Sequence, residues 1–210
     1  MARIRLLGAE FVTSAAGAGD LPRSPLPELA LAGRSNVGKS SLINALAGRQ
    51  LARTSAAPGK TRLANYYVLT PDRGRAFHLV DLPGYGYARG ARDGNAFETL
   101  AQEYFFGSRT RPAAVRESVA GVLLLVDARH PGLEADLRAH DWFVATGRPL
   151  CLVATKADKL SQRDRQRTAR ALADGFGRAA LMTSVLTAEG IEELWTWIVQ
   201  QTERWTPAGR

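Results

Sequence analysis

Gly33-Arg34-Ser35-Asn36-Val37-Gly38-Lys39-Ser40 is the stretch whose reading decides the fold. It fits G-x-x-x-x-G-K-[ST], a spacing that builds a phosphate-cradling loop when a strand precedes it and a helix follows. Both neighbours are legible. Glu28-Leu29-Ala30-Leu31-Ala32 is an apolar run suited to a short buried strand. Ser41-Leu42-Ile43-Asn44-Ala45-Leu46-Ala47 bunches its apolar residues on one side of a helix, and Gly48 ends it. The glycines allow a tight turn whose N–H groups converge on one point. The helix N-terminus adds roughly half a positive charge there. Lys39 can reach the β and γ phosphates of a nucleotide, and the Ser40 hydroxyl can ligate Mg2+.

At 210 residues the chain can bury one full core. A single domain over 1–210 is expected, with 1–27 as an N-terminal arm lying on it. Hydrophobic content of 45% and charged content of 23% are those of an ordinary globular protein. No apolar run approaches the ~20 residues of a membrane span, and the first residues lack the order of a signal peptide. A cytoplasmic protein with no membrane partner is the expectation, as a monomer. The lone Cys151, in Pro149-Leu150-Cys151-Leu152-Val153-Ala154, reads as a packed strand thiol. A net charge of +8 points to an anionic partner. Arginine supplies most of the positive charge, and the four lysines, Lys39, Lys60, Lys156 and Lys159, all lie in or beside nucleotide motifs.

After the first helix comes a polar loop, Thr54-Ser55-Ala56-Ala57-Pro58-Gly59-Lys60-Thr61. Two strands follow, Asn65 to Leu69 and Arg75 to Val80, joined by a hairpin turn at Pro71-Asp72-Arg73-Gly74. Helices are expected over Ala96–Phe106, Leu133–Ala145, from Ser161 onward with Asp164 as its capping pair, and over Glu189–Thr202. Strands are expected at Ala120–Val126, Pro149–Ala154 and Ala179–Met182. Strands alternating with helices mean an α/β fold, a doubly wound, mainly parallel sheet with helices on both faces and ligands at the strand C-termini. The hairpin makes one strand antiparallel, so the sheet is mixed.

Four further clusters appear in an order that completes a guanine-nucleotide site. Asp81-Leu82-Pro83-Gly84 ends an apolar strand; Asp81 can hold Mg2+ and the Gly84 N–H can face the γ-phosphate. Thr61, in the polar loop, could complete the Mg2+ shell, or it is an ordinary solvated threonine. Thr155-Lys156-Ala157-Asp158 follows the next strand. The Asp158 carboxylate can accept from guanine N1–H and its 2-amino group, which adenine lacks. The Lys156 stem can cover the base, while threonine at 155, where asparagine is common, implies a weaker contact to the loop framework. Thr183-Ser184-Val185 ends the last strand, where a backbone N–H near Ser184 could donate to guanine O6. GTP is therefore the expected nucleotide. The three histidines show no metal-ligand spacing, Tyr104 to Phe106 read as core, and Arg163, Arg165, Arg167 and Arg170 read equally as a phosphate-contacting or a solvated face.

On these segments the chain resembles the translation-factor-related GTPases, and within them the EngB/YihA group of ribosome-assembly GTPases. The segments are Gly33 to Asn44, Pro58-Gly59-Lys60-Thr61, Asp81-Leu82-Pro83-Gly84-Tyr85-Gly86-Tyr87-Ala88 and Thr155 to Leu160. The resemblance implies a P-loop GTPase G domain in which Gly33 to Ser41, Gly59 to Thr61, Asp81 to Gly84, Thr155 to Asp158 and Thr183 to Val185 bind nucleotide. Lys39, Thr61 and Gly84 would be catalytic, and Ser40, Thr61 and Asp81 would hold Mg2+. It further implies GTP-dependent assembly of the large ribosomal subunit, with rRNA contact and a linked requirement for septum formation.

Two residues bear on rate. Tyr85 stands where efficient GTPases often carry a water-orienting glutamine, so slow turnover is expected. Asn36 stands where related GTPases hold K+ beside the phosphates, or it simply stabilises the loop. A P-loop ATPase or kinase, and an RNA-binding protein with a vestigial G domain, are the competing readings; the first would have no use for Asp158.

Overall fold

The computed structural model describes residues 4–22, 24–53, 63–86, 94–107 and 116–206. In chain order the strands are β1 (Leu6–Ala15), β2 (Glu28–Gly33), β3 (Ala64–Pro71), β4 (Phe77–Asp81), β5 (Val119–Asp127), β6 (Leu150–Thr155) and β7 (Leu181–Met182). The helices are α1 (Lys39–Ala47), α2 (Gly94–Phe106), α3 (Glu134–Ala145), α4 (Gln162–Phe176) and α5 (Ile191–Arg204). One sheet takes all seven strands in the order β1-β3-β4-β2-β5-β6-β7. Only β3 runs against the others, pairing antiparallel with both β1 and β4. The remaining pairs are parallel, so their C-terminal ends reach one rim.

Alternation along the central strands builds two cores. Leu29 and Leu31 of β2, with Leu123 and Leu125 of β5, pack under α1 and α5 through Leu42, Ile43, Leu46, Leu194, Trp195 and Ile198. Ala30 and Ala32, with Val122, Leu124 and Val126, face the other layer, where Leu100, Tyr104 and Phe105 of α2, Phe143 of α3 and Leu172 and Phe176 of α4 close over them. Strands covered on both faces are apolar throughout, which is why β2 and β5 read as unbroken hydrophobic runs. Among the described residues no helix is long and apolar enough to cross a membrane.

Local chemistry accounts for several boundaries. Ser161 caps α4 by accepting from the Asp164 N–H, as their spacing predicts. Gly48, in a left-handed conformation, ends α1. The strand expected over Ala179–Met182 shortens to Leu181–Met182, because its ladder with β6 holds only Val153 and Ala154 as partners. Within the N-terminal stretch, Leu6–Ala15 forms β1 at the sheet edge, with register shifts between Leu6 and Gly8 and between Phe11 and Thr13.

At the opposite rim a buried ion pair ties the sheet's lower end together. Glu28, fully buried, receives Arg116 Nη2 at 2.9 Å and Nε at 3.2 Å. The same guanidinium donates to the Pro22 carbonyl at 2.6 Å and to Ser118 Oγ at 2.9 Å. Removing one member of a buried pair leaves the other charge uncompensated. Arg116→Met should therefore cost about 3–5 kcal/mol, read as a lower urea midpoint at unchanged slope, and adding Glu28→Leu should restore most of the loss.

Candidate functional site

The loop from Gly33 to Gly38 lies between the end of β2 and the start of α1. Gly33 (φ +157°) cannot carry a side chain: a Cβ there would stand 2.8 Å from the Leu125 carbonyl oxygen and 2.8 Å from Val37 Cγ1. Gly38 (φ +115°) caps α1, and Asn36 holds a left-handed φ of +63°. Val37 is buried beneath the loop and pins it to the core. Lys39 folds back so that its ammonium donates to the Gly33 carbonyl at 3.2 Å.

Asp81 ends β4, beside β2 in parallel register with Leu31, and the following Leu82 N–H donates to the Leu31 carbonyl at 3.0 Å. Burial pushes the Asp81 carboxyl up to about 6, against the pull of the Lys39 charge. Burial likewise lowers the Lys39 ammonium, against the pull of Asp81. Asp81 Oδ1 is buried with no hydrogen-bond partner among the described residues. An unsatisfied carboxylate oxygen and the Ser40 hydroxyl are hard oxygen donors of the kind Mg2+ prefers, so these residues fit that ion.

The loop after Asp81 is zipped onto the phosphate loop. Arg34 and Tyr85 form a parallel bridge, and the Ser35 N–H donates to the Tyr85 carbonyl at 3.3 Å. A Cβ on Gly84 would meet Ser35 N and Oγ at 2.8 Å, so glycine is required for this approach. The Tyr85 side chain is buried: its ring packs on Phe97 and its hydroxyl donates to Asp136 of α3.

At the base-recognition end, the Thr155 hydroxyl lies 2.7 Å from the Val37 carbonyl and 3.1 Å from that of Val126. Threonine at this position thus keeps a direct contact to the phosphate loop. Lys156, in a left-handed conformation, donates to the Asn36 carbonyl at 2.8 Å and to Asp127 Oδ2 at 2.9 Å. Burial works to raise the Asp127 carboxyl, but hydrogen bonds from Arg129 and Lys156 hold it well below the usual range. Ser184 Oγ donates to Asp158 Oδ1 at 2.7 Å, which orients that carboxylate and lowers its pKa. Ala157 N–H donates to the Thr183 carbonyl at 3.1 Å, joining the two base loops. The Ser184 N–H is taken by the Glu189 carbonyl at 3.0 Å, so the Ser184 amide itself is already engaged.

The sites predicted at Gly33 to Ser41, Asp81 to Gly84, Thr155 to Asp158 and Thr183 to Val185 therefore gather along one rim of the sheet. Gly59, Lys60 and Thr61 lie outside the described residues. Sequence reasoning missed Asp127, Arg129 and Asp136. The first had one signal, an acidic residue closing a fully apolar strand.

A doubly wound sheet with these loops at its rim is the G domain of a P-loop GTPase. The family described as 50S ribosome-binding GTPase matches residues 28–156. A probable GTP-binding protein EngB of Pelotomaculum thermopropionicum is 42% identical over 197 residues, covering 91% of this chain and 93% of the relative. One from Symbiobacterium thermophilum is 39% identical, covering 94% and 97%. A crystal structure of a probable GTP-binding protein engB superposes with a TM-score of 0.63 at 19% identity, covering 83% of this chain and 98% of that one, which supports the fold. The chain belongs to the EngB family of GTP-binding proteins.

The Ser184-oriented Asp158 generates a direct test. Asp158→Asn would put an amide donor where the expected reading sets an acceptor for the guanine 2-amino group. GTP binding should weaken by roughly 1.5–3 kcal/mol, while affinity for xanthosine triphosphate rises; competition titration against both nucleotides checks this.

Proposed function

We propose that the chain is a guanine-nucleotide switch that binds GTP and GDP with Mg2+, hydrolyses GTP slowly, and acts in assembly of the large ribosomal subunit, with normal septum formation depending on it. The observation that carries the nucleotide choice is Asp158, held by Ser184 and joined through its own loop to Lys156 and the phosphate loop. Lys39 offers its charge to the β and γ phosphates, and the Gly84 N–H faces the γ end. Ser40, Asp81 and, from the polar loop, Thr61 would hold Mg2+, which when bound neutralises charge on the β and γ oxygens. Tyr85, with its hydroxyl committed to Asp136, does not orient water, which accords with slow turnover.

The ribosomal partner rests on family membership and on the charge of +8, which favours an RNA-rich surface. Sedimentation with large-subunit particles tests it. Pelleting should differ between GDP and a non-hydrolysable GTP analogue, and Lys39→Ala should remove that difference. Pelleting that ignores both nucleotide and Lys39 would favour a passive RNA-binding protein instead.

A K+ ion held partly by Asn36 is proposed as the positive charge beside the β–γ bridge, acting as an arginine finger does. Hydrolysis should run faster in K+ than in Na+ at equal ionic strength, with GTP affinity little changed, and Asn36→Ala should abolish the difference. Equal rates in the two salts would return Asn36 to a purely structural role.

A further inference from the structure

Asp136 is fully buried in the first turn of α3, yet its side chain does not serve its own helix. Oδ1 accepts the Tyr85 hydroxyl at 2.9 Å, and Arg34 Nε donates to Oδ1 at 3.1 Å and to Oδ2 at 3.2 Å. One carboxylate thus grips the phosphate loop and the loop after Asp81 at once. An acidic residue at a helix start needs only solvent and the helix dipole, so burial here has another reason.

We infer that Asp136 is a positioning residue for the γ-phosphate end of the nucleotide site. Tyr85 is fixed at two points: its carbonyl accepts from Ser35, and its hydroxyl donates to Asp136. The phenol ring cannot swing between them, because it packs on Phe97 with 5.3 Å between ring centroids. Gly84 lies between this anchor and the strand end at Asp81, pressed against Ser35 with no room for a side chain. Its N–H is therefore aimed by residues on both sides, and on the Tyr85 side the aim is set from α3. Among the described residues Asp136 reaches the phosphate loop through Arg34, whereas Lys39 bonds the Gly33 carbonyl, Lys156 the Asn36 carbonyl and Asp158 the Ser184 hydroxyl. Contacts that GDP shares with GTP are thus largely untouched by the clamp. Its effect falls on what only the triphosphate uses.

The inference rests on the guanine-nucleotide reading above, and the test separates the two. Tyr85→Phe removes only the hydroxyl. Asp136→Asn keeps an acceptor for Tyr85 but loses the charge opposite Arg34. Fluorescent GDP and a non-hydrolysable GTP analogue are titrated against the unaltered chain, each variant and the double variant. Each single change should weaken analogue binding about tenfold, the scale of one hydrogen bond to a charged group, while GDP affinity changes less than about twofold. The double variant should be no worse than the poorer single one, since both break one unit. Equal losses for GDP and the analogue, additive losses, or no loss at all would overturn the role of Asp136. An unaltered chain that prefers ATP to GTP would overturn the guanine reading itself.

Discussion

Lys39 carries an ammonium into a site where only 9% of the residue meets solvent, with the Gly33 carbonyl as its partner and Asp81 as the nearby opposite charge. Desolvation drives both ionisable groups toward their neutral forms, and their mutual attraction opposes it. Such an arrangement is costly unless the backbone around it is fixed. Much of the surrounding structure does that fixing: β2 and β4 lie in register, Val37 plugs the loop into the core, and α1 follows from a glycine cap. A nucleotide carrying its own cation brings both signs of charge to groups already held apart and in place.

The phosphate loop was readable because backbone geometry dictates its residues locally. Gly33 is forced by a carbonyl and a valine methyl, Gly38 by a helix start, and both show as fixed letters at fixed spacing. The alternating apolar helices and the hairpin before Asp81 were readable for similar reasons. What escaped was long-range pairing. Arg34 meets Asp136 across 102 residues, and Asp127 meets Lys156 across 29, so no local pattern announces either contact. The bond from the Thr155 hydroxyl to the Val37 carbonyl spans 118 residues, so the motif letters alone do not show it either. The edge strand β1 blurred because its two register shifts break the period-two pattern that identifies a strand.

Asn36 shows how one residue can answer two demands. Its left-handed backbone favours glycine or asparagine over most other residues, so its identity has a conformational cause independent of any ion. Its carbonyl also accepts from Lys156, which couples the phosphate loop to the base loop through a single peptide.

The sheet has two open edges, β7 and β1, and they are managed differently. β7 has only two residues, too few to template a neighbour. β1 is ten residues long and exposes Leu7, Phe11 and Val12, which would invite strand addition from another chain. Its two irregularities interrupt the outward row of N–H and C=O groups, so an added strand would find no continuous ladder to follow. Straightening β1 by deleting one extra residue at either irregularity would thus remove a safeguard against self-association, at a point far from the nucleotide chemistry.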